Sequence, residues 1–437
     1  MNKTFSVVET EEVDYLFLAL PDTNLFNVEV VFDYGSDLEK LYLEKYGKEV
    51  FGITHLTEHL CFKSPVGYSS DELLRLFKKH GNRNASTSYT HTKYFFNTIS
   101  KNTNFALDAL IATAFNDFDR VTDEEFESEK KVIISEVGQY GDNKQTIFNL
   151  GVKSALTGSY KHDNILGDVD VIKDFTLDEC KDIRRLALQE AKKFIFVLYD
   201  PNNCTYTEDE LKSYIDIRIS KLDIKKTDKC IGKEVYYEKR NKVLEDVYVP
   251  SESNRFLVNL TFDIETNVLV RSLANYYVSA LANENSLYNI IRDKHGLTYG
   301  ISLYTEDIQN KQHTALGVDV AYGKEELLFK LIEEAIVASV DAFDEEVYAE
   351  VRYNQDLRAT MKRANLVTYK DFVPTWVDNK ELLMPLMDKF KINIDDSDDL
   401  LYAEWVSYDK VKAYLLALKD MVVKKNYRGI YSSKIKE

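Results

Sequence analysis

The chain has 437 residues, 44% hydrophobic and 30% charged, with a formal net charge of −17 at pH 7. That length exceeds one compact core and points to two or more units of about 200 residues each. The acidic balance, with no stretch rich in Lys and Arg, argues against a nucleic-acid partner; it keeps the protein soluble and steers neutral or basic molecules toward it.

In chain order, the first twelve residues reach acidic positions too soon for the apolar region of a signal peptide. No apolar run approaches the ~18 to 20 residues of a membrane span, so a cytoplasmic protein is expected. Cys61, Cys180, Cys204 and Cys230 lack CxxC spacing and read as reduced thiols. Apolar segments at 13–20 and 25–32, separated by Pro-Asp-Thr-Asn, predict two strands joined by a turn.

A polar stretch over 34–48 leads to Phe51-Gly-Ile-Thr-His55-Leu-Thr-Glu58-His59-Leu-Cys61, a short apolar helix. Residues four apart are neighbours on one helical face, so His55 and His59 can present two imidazoles to one cation, with Glu58 on the same side. An imidazole pair suits zinc, and a carboxylate beside the metal rather than on it can take a proton from the attacking water. The order His-x-x-Glu-His is the inverted form of the zincin pattern. Three fixed positions in a pentapeptide also fit a satisfied pair of core histidines, and the third protein ligand that zinc needs lies elsewhere.

Residues 69–81 predict a helix with a serine cap and a glycine stop; His80 sits at its C-terminal end, where the helix dipole favours it. The β-branched and aromatic stretch 84–99 predicts strand, turn and strand. It is either an ordinary hairpin or an edge whose free backbone groups pair with an extended peptide, and His91 in its polar turn is expected to face solvent. After a helix over 105–115, Thr122 and Glu125 form a capping box that opens another helix. Glu129 and Glu136 lie two turns apart on one face of it. Most glutamates there are solvated, but Glu136 is flanked by Ile133, Ile134 and Val137, where an unpartnered carboxylate would be costly to bury. It is the candidate third ligand.

These features together resemble the pitrilysin and insulinase family of inverted-zincin peptidases, in its half-length, two-domain form, similar to mitochondrial processing peptidase and its bacterial relatives. The resemblance rests on His55-x-x-Glu58-His59, on a glutamate 77 positions beyond the second histidine (136 − 59), on Glu129 seven before it, and on Asn84-Ala85-x-Thr87 with Thr92 and Tyr94. Further on, Arg292 and Tyr299, seven apart around Gly296-Leu297, are similar to the family's arginine and tyrosine pair. Taken alone, Arg292 reads as a surface salt-bridge partner and Tyr299 as a strand-edge aromatic.

The resemblance implies one Zn²⁺ per chain held by His55, His59 and Glu136, with Glu58 as general base. It implies that Glu129 orients a ligand or exchanges roles with Glu136, that Asn84 and Ala85 belong to the substrate-binding strand, and that Arg292 and Tyr299 hold the substrate and the developing oxyanion. The activity implied is that of a zinc metalloendopeptidase acting on peptides or small unfolded proteins enclosed in a chamber. A dedicated maturation peptidase for one precursor and a non-catalytic subunit of the same fold are the alternatives.

A strand at 255–263, helices at 267–281 and 285–295, a strand region over 297–321 and helices at 324–336 and 345–364 repeat the order of the first half without its His-x-x-Glu-His. That is the signature of a duplicated unit in which one copy kept the metal. The expected fold is α+β, with a zinc-binding domain over 1–226 and a homologous non-metal domain over 227–437, each a mainly antiparallel sheet with helices on one side. Residues 225–233 are the most linker-like stretch. Single-chain members of the family are about twice this length and take the arginine and tyrosine from the half without zinc. The resemblance therefore implies a homodimer, with a heterodimer containing an inactive homologue as the alternative.

Overall fold

The computed structural model describes residues 4–10, 13–39, 42, 47–89, 91–141, 148–149, 151–152, 164–222, 224, 247–251, 253–279, 283–308, 311–353 and 406–434. They group into two compact units, each a sheet with its own helices and its own apolar core. The fold is α+β, as expected. The linker-like stretch 225–233, with Cys230 and the 226/227 boundary, lies outside the described residues, as does the helix at 345–364 beyond residue 353. Cys61, Cys180 and Cys204 are free thiols. Among the described residues no helix is long and apolar enough to cross a membrane.

In the first unit, β1 (Thr4–Glu9), β2 (Asp14–Ala19), β3 (Leu25–Phe32), β4 (Asn82–Thr87), β5 (Thr92–Ile99) and β6 (Lys193–Tyr199) form one sheet in the order β1-β2-β6-β3-β5-β4. Its helices are α1 (Ile53–Leu60), α2 (Ser70–His80), α3 (Thr103–Ala114), α4 (Asp123–Gly141), α5 (Val169–Lys173), α6 (Leu177–Glu190) and α7 (Glu208–Ile219). The two strands read from 13–32 are present but are not a hairpin. β6 runs between them, parallel to β2 and antiparallel to β3. Lys193-Phe-Ile-Phe-Val-Leu-Tyr is buried at every position, the pattern of a central strand covered on both faces. The turn at 21–24 is closed by a residue of that same strand end: Asp200 accepts the backbone N–H groups of Asp22 and Asn24 at 3.2 and 2.6 Å.

The β4–β5 hairpin follows its sequence reading, with Ala85 opposite Tyr94 and Thr87 opposite Thr92, and among the described residues β4 is an edge of the sheet. Thr92, Tyr94, Phe96 and Thr98 are buried, in strict alternation with half-buried neighbours. The predicted caps are also there. Ser69 accepts from Glu72 N–H, and Thr122 and Glu125 exchange side-chain and backbone bonds at the start of α4.

In the second unit, β7 (Val247–Ser251), β8 (Arg255–Phe262), β9 (Ile301–Ile308), β10 (Lys311–Ala321) and β11 (Arg428–Lys434) are ordered β7-β11-β8-β10-β9. Around them lie α8 (Val268–Ser279), a π-helical turn (Tyr288–Lys294), α9 (Glu325–Asp341) and α10 (Tyr408–Val423). Replacing β2, β6, β3, β5 and β4 by β7, β11, β8, β10 and β9 reproduces the order and every parallel or antiparallel sense of the first sheet apart from β1. The duplication is therefore topological, and α8, which follows β8 as α1 follows β3, contains no histidine. Phe148 and Val152 group with this second unit, sharing a small apolar cluster with Val249, Leu257 and Ile430.

Candidate metal centre

At eight residues α1 is too short to be stable alone, and seven of its residues are buried, so its surroundings must hold it. Its first residue is preceded by Gly52 at φ 94°, with no side-chain cap of its own. The cap comes from a distance. Buried Glu39 accepts the backbone N–H groups of Gly52 and Thr54, each at 3.0 Å, and sets a carboxylate at the positive end of the helix. Gly52 lies against Gly167 so closely that a Cβ on Gly167 would stand 2.4 Å from the Gly52 Cα, and both glycines have positive φ. At the other end, the Asn116 amide donates to the carbonyls of Cys61 and Lys63 at 3.2 and 2.8 Å. Fully buried Arg184 donates in turn to the Asn116 carbonyl at 2.9 Å.

This frame turns His55 and His59 toward the same space, with ring centroids 4.9 Å apart. Glu136, from α4, brings its Oε2 to 3.9 Å from His55 Nε2 and 3.8 Å from His59 Nε2. The three ligand atoms lie within 4.8 Å of one another. Zinc at ordinary bond lengths separates tetrahedral ligand atoms by about 3.3 Å, so a small inward movement would close this set on the ion. Two neutral imidazoles and a carboxylate are also the donor types zinc prefers. Glu129, the other candidate from α4, lies on a different side: its Oε2 is 3.2 Å from His59 Nδ1, and its Oε1 is 2.6 Å from Lys63 Nζ. Glu136 is half-buried with a side chain 32% exposed, so it is not sequestered among its apolar neighbours but turned to the histidines.

Burial pushes the His55 pKa down to about 3, reinforced by the His59 charge, which keeps that ring in the neutral form able to bind a metal. Burial acts the same way on His59, but the Glu129 bond and the charges of Glu58, Glu129 and Glu136 outweigh it and raise its pKa. For Glu58 burial raises the carboxyl pKa, opposed by a bond from the Thr87 hydroxyl to its Oε2 at 2.6 Å.

Residues 20–168, which include α1, the β4–β5 hairpin and α4, match the family described as Insulinase (Peptidase family M16). Over this stretch the chain is similar to that family. A protein of Helicobacter pylori named zinc protease PqqE is 29% identical over 184 residues, 41% of this chain and 39% of that protein, so the match spans well under two thirds of the relative. Two solved structures share the fold at 14% identity. One, from Pseudomonas fluorescens, is described as an inactive domain of the same peptidase family; it covers 99% of this chain and 97% of its own at a TM-score of 0.74. The other, the ferredoxin protease FusC in complex with Arabidopsis ferredoxin, covers 100% of this chain and 48% of its own at 0.62.

A cleft of about 240 Å³ opens beside α1, and Asn84 and Ala85 line it together with Glu58, His59, Arg83 and Glu129. The edge strand thus borders the candidate base. Arg292 and Tyr299 belong to the second unit, where the Arg292 guanidinium lies 4.4 Å from the Tyr288 ring centre and 5.0 Å from that of Tyr299; Tyr299 is 86% exposed. His91, expected to face solvent, is half-buried with Nδ1 2.9 Å from the Ser88 hydroxyl; burial lowers its pKa to about 4, reinforced by the Lys93 charge. Nothing in the sequence marks Glu39, Gly167, Asn116 and Arg184, which hold α1 from positions remote in the chain, or the bond from Thr87 to Glu58. Only Thr87 carried a signal, as a member of the Asn84-Ala85-x-Thr87 string.

Proposed function

We propose that the chain is a zinc-dependent endopeptidase acting on peptides or small unfolded proteins. The observation that carries this is the convergence of His55, His59 and Glu136 beside Glu58 and the edge strand β4. His55, His59 and Glu136 would hold one zinc ion per chain, which when bound would supply Lewis acidity toward the scissile carbonyl. Glu58 takes a proton from the attacking water and passes it to the leaving amine, and Thr87 fixes the orientation of that carboxylate. Glu129 anchors His59 through Nδ1, setting which ring nitrogen faces the ion. Asn84 and Ala85 offer edge-strand backbone to an extended substrate.

Arg292 and Tyr299 are assigned to substrate and oxyanion, acting across a homodimer whose two zinc sites are equivalent and whose substrate is enclosed in a chamber. The relation of this chain to about half of the FusC chain supports that assembly. The domains are assigned as 1–226, with zinc, and 227–437, without it, and the protein as cytoplasmic.

The test is Glu58→Gln. It should keep about one zinc per chain by elemental analysis and lose peptide hydrolysis by roughly 10²–10⁴-fold. Hydrolysis at near wild-type rate would refute the mechanism. The same assay decides against the competing role of a non-catalytic subunit, in which wild type itself would cleave nothing.

A further inference from the structure

One end of the cleft holds a cation that the metal centre does not use. Both oxygens of Glu129 are taken, one by His59 and one by Lys63. The Arg83 side chain makes no hydrogen bond or ion pair among the described residues; Glu129 acts on it only through space. Its guanidinium lies over the Phe62 ring at 4.2 Å, with Phe77 at 5.5 Å. Burial lowers the Arg83 pKa, the mark of a cation drawn partly out of water without an acceptor. A guanidinium presents five N–H donors in a fixed fork suited to a carboxylate.

The position of Arg83 relates it to a bound peptide. Alternate side chains of a strand share a face, so Arg83, Ala85 and Thr87 project to one side of β4, where Thr87 meets Glu58. Arg83 stands about 7 Å along the strand from Ala85. A peptide added to the edge of β4 has the same spacing, so a side chain close to the scissile bond reaches the space between Phe62, Lys63 and Arg83.

We propose that this end of the cleft is a carboxylate subsite that takes an Asp or Glu side chain within two residues of the scissile bond, with Arg83 as the specificity-determining residue. The proposal rests on the peptidase reading above. The net charge of −17 opposes acidic peptides only at long range. Such repulsion is screened over about 8 Å at physiological ionic strength and does not cancel a direct contact.

The experiment uses amidated, N-acetylated peptides that differ only in Asp, Glu, Ala or Lys at each position flanking the cleavage point. For each enzyme, kcat/KM is expressed as the ratio of acidic to neutral peptide, which is independent of how much protein is folded. Wild type should favour the acidic peptide about tenfold or more at one position. Arg83→Met, which keeps the stem over Phe62, should bring that ratio close to one, and Arg83→Glu should favour Lys. Binding of the same peptides to zinc-loaded Glu58→Gln, read by fluorescence anisotropy, should show the same order. Cleavage without an acidic preference, or a preference that survives Arg83→Met, overturns the subsite and leaves the peptidase reading standing. If wild type cleaves nothing while Glu58→Gln still selects acidic peptides through Arg83, the peptidase reading fails and the subsite stands.

Discussion

Glu39 is the sharpest test of how α1 is held. The residue is 1% exposed, and its carboxylate accepts two backbone N–H groups at 3.0 Å. Glu39→Gln keeps the shape but leaves one acceptor oxygen, and its NH₂ group then faces an N–H. A hydrogen bond to a charged group contributes about 1.5–3 kcal/mol, and the charge at the helix N-terminus roughly 0.3–1 kcal/mol more. The expected loss is therefore about 2–4 kcal/mol in urea unfolding of the first unit, followed by near-ultraviolet circular dichroism. His55 lies three residues after Gly52, so loosening the first turn should also weaken zinc binding by about tenfold or more in chelator competition. Glu39→Asp, which retains the charge on a shorter stem, should fall between. A Glu39→Gln protein within about 0.5 kcal/mol of wild type, with unchanged zinc affinity, would show that the remote cap does not hold the helix.

Gly167→Ala sets a Cβ against the Gly52 backbone and should cost roughly 3 kcal/mol or prevent folding, whereas Gly47→Ala, at similarly positive φ but with open space around it, should cost only about 1 kcal/mol; equal costs in thermal unfolding would remove the close approach as a cause. Glu136→Ala should lose most of its zinc by elemental analysis, while Glu129→Ala should retain zinc with about 10–100-fold weaker affinity; the reverse outcome exchanges the two roles. Mixing inactive Glu58→Gln with inactive Tyr299→Phe protein should restore activity if a dimer completes each site with the partner's second domain, and a strictly monomeric active enzyme in sedimentation would contradict it.

What the sequence revealed was local. His55 and His59 are four residues apart on a helix, Thr122 and Glu125 cap within one turn, and 84–99 folds as a hairpin on its own neighbours; periodicity sees all of these. The long-range partners were hidden. β6 separates β2 from β3 although it lies more than 160 residues after either, and no pattern in 13–32 announces it. Glu39 reaches α1 across 13 to 15 residues from a stretch that reads only as polar. Arg184 looks like one more helix cation, and its burial under α3 follows from carbonyls at Ala114 and Asn116 that sequence does not advertise. The half-burial of His91 is hidden for the same reason, since a polar turn does not disclose how a ring within it will pack.

The placement of Phe148 and Val152 bears on modularity. In sequence they lie between the helix that carries Glu129 and Glu136 and Asn164, which is back in the first unit three residues before the glycine that seats α1. In between, Phe148 and Val152 lend apolar surface to the cluster of Val249, Leu257 and Ile430. A gene cut at the midpoint would yield one fragment with two uncovered apolar side chains and another with a gap in its packing. A descendant of this duplication is thus not free to trade or shed its metal-free copy; to do so it would have to rebuild the stretch of chain that begins and ends at its own metal-binding frame.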